Sequence, residues 1–132
     1  MPGARKNSTP VAIESPFYVG QVADLGDNFT VVFETIRQDV DTAPVFKGLP
    51  DDRCPCPHWG IVVKGRWTAR YRDHEETFEA GDVFYSPPGH LPSAAPGTEL
   101  ITFSPSAELV KVNAVIAKNQ AELAVARSWG TS

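Results

Sequence analysis

From Pro16 onward the chain runs in short alternating blocks of apolar and polar residues, cut by turn-forming residues. "PFYVGQVADL" (16–25) and "NFTVVFETIRQ" (28–38) are rich in β-branched and aromatic residues and flank "GDN" at 26–28, which predicts strand, turn, strand. In the second block Phe29, Val31 and Phe33 share one face while Thr30, Val32, Glu34 and Ile36 share the other. Both faces are partly apolar, so this strand belongs between two apolar layers. "APVFKGLPDD" (43–52) reads as a short strand entering a turn. "GIVVKGRWTARYRD" (60–73) reads as two strands meeting at a glycine turn, with reversals following at "RDHEE" and "TFEAGD". "VFYSPPGH" (83–90) ends in a proline-glycine turn, and "ELITFSP" (99–105) is the last strand. Strands this short, with turn signals every ~8–12 residues, predict a β-sandwich or barrel.

The periodicity then changes. Ser104 can cap a helix with Pro105 at its first position, where the missing N–H costs nothing. Leu109, Val112, Ile116 and Leu123 recur at helical spacing, predicting one apolar stripe on a helix to about Arg127 that covers a sheet edge or a subunit interface. Trp129 is placed to anchor the tail. At the other end, residues 1–14 are polar and interrupted by proline, and are expected to form a flexible arm. The expected organisation is therefore an arm (1–14), an all-β body (15–104), and a helix with its tail (105–132).

Composition narrows the function classes. A chain of 132 residues fits one domain with its own core, and 12 prolines with 10 glycines favour an all-β body. A net charge of -4 and a pI near 5.3, with no basic block, exclude a general affinity for nucleic acid or an anionic membrane. Small molecules or proteins are the expected partners. The beginning of the chain has no apolar run of signal-peptide type, and no stretch is long and apolar enough to span a bilayer, so the expected location is cytoplasmic. The two thiols are then expected to be reduced. A Cys54–Cys56 disulfide is also awkward, because residues two apart in an extended chain point the same way from Cα atoms near the upper limit for bridging.

The chemistry concentrates in "CPCPHWG" (54–60). In an extended strand Asp52, Cys54, Cys56 and His58 would face one way, with Pro55 and Pro57 facing the other. The prolines remove N–H groups at alternate positions, leaving that strand unpaired on one side, as at the mouth of a barrel. Asp52, between Asp51 and Arg53, fits a solvated turn better than a ligand. Thiolate and imidazole together suit zinc, iron, cobalt or nickel, whereas magnesium and calcium prefer oxygen. The competing reading is that a cysteine beside a proline is a small buried hydrophobe.

The stretch from Cys54 to Phe103 resembles the cupin superfamily of double-stranded β-helix, or jelly-roll, barrels. Gly81, "DVFYS" and Pro87-Pro88-Gly89, preceded by "FEAGD", match the second cupin motif. The first cupin motif closes on Gly65, and its spacing puts His58 at the family's glutamate position, Cys54 at the second histidine and Asp52 at the first. The spacing is kept while the ligand types change. In the second motif Pro92 takes the histidine position and His90 lies two residues earlier. "GLPDDRCPCPHWGIVVKG" followed by "PPGH" also resembles small single-domain bacterial cupins.

The resemblance implies a cupin-type jelly-roll barrel with the C-terminal helix packed on it. It also implies that His90 approaches the cysteine stretch from another strand, giving the candidate set Cys54, His58 and His90, with Cys56 as a fourth ligand or a spare. Cupins commonly pair through sheet edges, so a homodimer is implied as well. Glu34 is a candidate proton-transfer group if it faces the cavity and a surface carboxylate if it does not. Tyr85, Tyr71 and Trp67 could line a pocket or simply fill core, and His74 lies in a charged turn of the kind that is usually solvated. Two readings stay open. One is a small-molecule metalloenzyme (lyase, isomerase, cyclase or dioxygenase) with an open metal position. The other is a non-catalytic binding module for a small ligand or metal.

Overall fold

The computed structural model describes residues 3–39 and 41–130, with 124–130 described by backbone alone. Trp129, expected to anchor the tail, thus lies outside the described side chains. The strands are β1 (Val11–Glu14), β2 (Tyr18–Gly26), β3 (Phe29–Ile36), β4 (His58–Lys64), β5 (Arg66–Arg70), β6 (Glu75–Glu79), β7 (Val83–Ser86), β8 (Leu91–Ala94) and β9 (Glu99–Pro105), followed by helix α1 (Ser106–Gly130). They form a six-stranded sheet in the order β1-β2-β3-β9-β4-β7 and a three-stranded sheet in the order β6-β5-β8. The pairings within both sheets are antiparallel. The two sheets do not close strictly into one barrel. An isolated antiparallel bridge between Cys54 and His90 joins the loops that lead into β4 and β8.

The predicted strand-turn-strand at 16–38 is present. Asp27 and Asn28 both have positive φ (52° and 62°), the backbone of a two-residue hairpin turn whose twist matches that of the flanking strands. Asn28 also starts the helix, because Ser106 N–H donates to its backbone oxygen at 2.8 Å and Ala107 N–H to its Oδ1 at 3.1 Å. The expected cap, Ser104, is instead an inward residue of β9, and Pro105 pairs with Phe29 as the last residue of that strand. The helix therefore begins later than predicted, with a distant hairpin tip occupying its first N–H groups.

Other segments also differ from expectation. Residues 43–52 do not form a strand; they make two 3-10 turns, Ala43–Phe46 and Pro50–Asp52. A proline stands first or second in each turn, and Asp51 and Asp52 have left-handed φ values of 56° and 55°, so an extended path is blocked. β8 was not foreseen, since "LPSA" contains a proline and little apolar alternation. Within the segment read as an arm, β1 pairs along β2, Lys6 forms an ion pair with Glu99, and Gln21 Nε2 donates to the carbonyls of Lys6 and Thr9.

Inside, the core has two parts. One gathers Val32, Phe46, Cys54, Cys56, Leu109 and Val112 beneath α1, with Ile116 packed against it, as the helical stripe predicts. The other gathers Val62, Trp67, Ala69, Phe84, Ala94 and Leu100 between the two sheets.

Gly65 makes the turn that passes the chain from β4 to β5. It has φ +87°, and a Cβ placed there would lie 2.4 Å from Thr98 Oγ1 and 2.8 Å from Thr98 Cα. Thr98 is fully buried, and its hydroxyl bonds the backbone of Arg66 and Ala95, so it cannot move aside freely. Backbone strain and overpacking each cost about 1–3 kcal/mol. Gly65→Ala should therefore destabilise the fold by about 2 kcal/mol or more, read as a lower urea midpoint at unchanged m-value.

Candidate metal centre

The ligand atoms of Cys54, His58 and His90 lie within 4.8 Å of one another, the group of metal-ligating type found among the described residues. Cys54 and His90 face each other because they form the bridge, with Cys54 N–H donating to His90 O at 2.9 Å and Gly89 N–H donating to Cys54 O at 2.8 Å. Gly89, at φ +97°, takes the left-handed conformation that the turn before His90 requires. His58 is the first residue of β4, paired with Ser86, and its Nε2 lies 3.7 Å from Cys54 Sγ. The imidazole rings of His58 and His90 meet edge-on with centroids 5.0 Å apart.

The outer nitrogens of both rings are engaged. His90 Nδ1 lies 2.9 Å from the carbonyl of Pro87. A carbonyl can only accept, so Nδ1 carries the hydrogen and Nε2 of the neutral ring keeps a free lone pair. His58 Nδ1 lies 2.6 Å from Ser104 Oγ, which likewise leaves its Nε2 toward the thiol. Fixing a ring through its far nitrogen is how proteins orient histidine ligands. Ser104 is the residue that sequence reading missed. Its signal as a helix cap concealed an inward position on β9, whereas in the structure it is fully buried.

Burial sets the electrostatics. The Cys54 thiol is pushed up to about 12 and the Cys56 thiol to about 11, chiefly by desolvation of the thiolate. His58 is lowered to about 3 by desolvation and by the neighbouring His90 ring, which is itself lowered by burial. Without an ion the cluster is thus neutral, a thiol beside two uncharged imidazoles. His58 is the member that keeps partial contact with solvent, while Cys54 and His90 are buried.

The remaining predicted residues fall in distinct places. Cys56 is fully buried, but its Sγ turns toward the Pro57 carbonyl at 3.5 Å and it is not part of the converging group. The expectation that Asp52, Cys54, Cys56 and His58 line one wall is corrected: residues 54–57 are not part of a strand, which begins only at His58, so the two-residue alternation does not apply. Asp52 is exposed and accepts from Gly48 N–H at 2.9 Å, closing its own turn. Both cysteines are free, as expected.

Glu34 projects to the inner side of β3, where Tyr18 Oη donates to one carboxylate oxygen at 2.7 Å and Thr102 Oγ1 to the other at 3.0 Å. Burial raises its pKa despite these two hydrogen bonds, and its charge contributes to raising Cys54. Tyr18 was not singled out in the sequence, yet it is the group that holds Glu34. Trp67 belongs to the core and meets His90 edge-on, the half-buried Tyr71 also meets His90 edge-on and shares a hydrogen bond with Ser86, and Tyr85 stacks on Trp59 at the surface. His74 stacks on Tyr71 and pairs with Asp73.

The lowered His58 fixes a pH dependence for the metal-free protein. Its folded pKa lies near 3, below the 6.5 of a free imidazole, so between these values the unfolded chain binds more protons. Stability conferred by the neutral ring is present above pH ~6.5 and is lost as the pH falls toward ~3, at up to about 1.4 kcal/mol per pH unit for one such group. The thermal midpoint of chelator-treated protein should fall below pH ~6.5. His58→Gln should flatten that decline, and an unchanged profile would contradict the enclosed neutral ring.

No family model matches the chain, and no curated protein matches it in sequence. Solved structures do match in fold. An RmlC-like cupin from Shewanella frigidimarina superposes at TM-score 0.54 with 17% identity, covering 77% of this chain and 88% of that one. KdgF from Halomonas sp. superposes at TM-score 0.53 with 14% identity, over 76% and 90% of the two chains. Fe(II)-HppE, solved with an alternative substrate, superposes at TM-score 0.51 with 12% identity, over 76% and 58%. At these identities the likeness concerns architecture, and with the two antiparallel sheets and the terminal helix it establishes that this chain has the cupin fold.

Proposed function

We propose that this protein is a small-molecule metalloenzyme of the cupin type, in which Cys54, His58 and His90 hold one divalent transition metal (Zn, Fe, Ni or Co). The observation that carries this reading is the convergence of one sulfur and two imidazole nitrogens within 4.8 Å, with each ring tied at its far nitrogen. Three protein ligands leave a position for water or substrate. Once bound, the metal would supply Lewis-acid chemistry, or oxygen activation if it is iron. The cupin-fold structure described as Fe(II)-HppE supports a metal in such a barrel.

The chain's own contributions are positional and protonic. Ser104 and the Pro87 carbonyl orient the rings. Burial keeps both imidazoles unprotonated across the physiological range, so they compete with no proton for the ion. Glu34 is assigned the proton transfer in this reading, which its raised pKa and the hydrogen bonds from Tyr18 and Thr102 support. That role fits lyase, isomerase or cyclase chemistry, and dioxygenase chemistry fits where the metal is iron. A reducing cytoplasm would keep Cys54 available as a ligand.

One observation favours the non-catalytic alternative: Cys54 and His90 are only 2% and 1% exposed, as in a site that stores or senses rather than turns over. Cobalt-loaded protein separates the two readings. A visible spectrum that changes on adding azide marks an exchangeable position, and one that does not marks a closed module. A second copy of the chain is the proposed macromolecular partner. The outer face of the large sheet carries Trp59, Val83, Tyr85 and Phe103, each between 37% and 77% exposed, in adjacent strands.

Metal content gives the direct test. Protein purified without chelators should hold about one equivalent of transition metal, and Cys54→Ser, His58→Ala and His90→Ala should each lose most of it. Cys56→Ser should retain it, and Ser104→Ala should weaken it about 10–100-fold by freeing the His58 ring. Because Cys54 stays protonated without the ion, binding at neutral pH should release about one proton per metal, measurable as buffer-dependent heat. Traces of metal insensitive to all these changes would remove the reading.

A further inference from the structure

A second site lies beside Tyr71. A cavity of about 450 Å³ opens there, lined by Arg53, Arg70, Tyr71, Arg72 and Leu91 among others. Its size is that of a small-molecule pocket. In a chain of net charge -4, three arginines lining one cavity call for a physical reason.

Their partners do not supply one. Arg72 approaches Asp51 at 3.6 Å, but both side chains are largely exposed, so this pair carries little. Arg53 and Arg70 make no ion pair among the described residues, although Asp41 and Glu75 also line the cavity. Arg53 Nη1 donates to the backbone oxygen of Arg70 at 2.9 Å, which ties the Arg53 side chain to the strand that carries Arg70. Arg70 Nε is a buried side-chain nitrogen with no hydrogen-bond partner, unlike the other buried side-chain polar atoms among the described residues. Shut off from solvent, Nε itself is out of reach of a solute, but the terminal nitrogens of Arg70 are accessible and make no hydrogen bond or ion pair among the described residues, which leaves the charge of the group open to an acceptor from outside.

We propose that this cavity binds the carboxylate of a small organic acid. Guanidinium forks match a planar carboxylate with two parallel hydrogen bonds. Leu91, Ala43 and the Tyr71 ring offer apolar surface to the body of the acid. The site goes beyond the metal reading and does not depend on it, though the two are neighbours. Arg53 precedes Cys54, Leu91 follows His90, and the Tyr71 ring lies edge-on to the His90 ring with centroids 6.5 Å apart.

Isothermal titration calorimetry tests the proposal on protein as purified. The probes are succinate and benzoate, their neutral isosteres succinamide and benzamide, and inorganic phosphate. At least one of the two acids should bind while its amide gives no heat. Arg70→Gln and Arg53→Gln should each weaken binding about tenfold or more, in keeping with loss of a charged hydrogen bond. Circular dichroism checks that each variant folds; Arg53, whose hydrogen bond is to a backbone carbonyl, serves if Arg70→Gln does not fold. Cys54→Ser should bind the acid as well as the parent does, which separates this site from the metal centre. The proposal is overturned if amides bind as well as acids, if phosphate binds more tightly than both acids, if neither acid binds, or if Cys54→Ser abolishes binding.

Discussion

Two backbone hydrogen bonds hold the candidate centre together, Cys54 N–H to His90 O and Gly89 N–H to Cys54 O. Each is worth only about 1 kcal/mol net, yet together they set a register. They fasten the loop before β4 of the large sheet to the loop before β8 of the small one, at the positions that carry the thiol and an imidazole. A slip of one residue in that bridge would turn either side chain away from the other. The rest of the site follows from it, since His58 needs only to begin β4 four residues later to bring its ring into the same space.

The buried polar groups around the bridge are not what stability alone would select. Ser86, His90, Thr102 and Ser104 are buried at 0–4% exposure between two apolar clusters. Each buried polar group costs free energy unless it is bonded, and a network pays back little beyond that cost. Here the bonds exist: Ser104 to His58, Ser86 to Tyr71, Thr102 to Glu34 and His90 to the Pro87 carbonyl. An apolar core of the same volume would serve the fold as well. A satisfied polar network in its place fixes ring orientations, which matters to chemistry more than to folding.

Much of this was legible along the chain. The strand periodicity, the glycine turn at Gly65, the helical stripe and the motif around Gly81 to Gly89 each gave the element that forms. The meeting of Cys54, His58 and His90 was legible too, though through resemblance and not through the alternation argument, which wrongly added Cys56. That argument assumed an extended chain from 52 to 58. Asp51 and Asp52 are left-handed, and pairing at Cys54 is a single bridge, so the side chains do not alternate as on a strand. Ser104 and Tyr18 were hidden for another reason. Their partners, His58 and Glu34, lie 46 and 16 residues away, and no local pattern predicts which strands become neighbours. The helix start failed similarly, because its capping groups come from Asn28.

Charge inside the barrel links Glu34 to the cluster under the metal reading. In the metal-free protein burial favours the neutral form of every group present: the Cys54 thiol, the two imidazoles and the Glu34 carboxyl are all shifted in that direction. A divalent ion held by Cys54, His58 and His90 would reverse the logic, because binding it requires the thiolate. One thiolate and two neutral imidazoles would leave one positive charge of such an ion uncompensated in a low-dielectric interior. Ionised, Glu34 would act on Cys54 through its charge, and the carboxylate has both oxygens provided with donors in advance. The same burial that disfavours ionisation of Glu34 in the metal-free protein would therefore make its carboxylate the natural counter-charge to a bound ion, and under the metal reading its protonation and metal binding would be coupled by electrostatics.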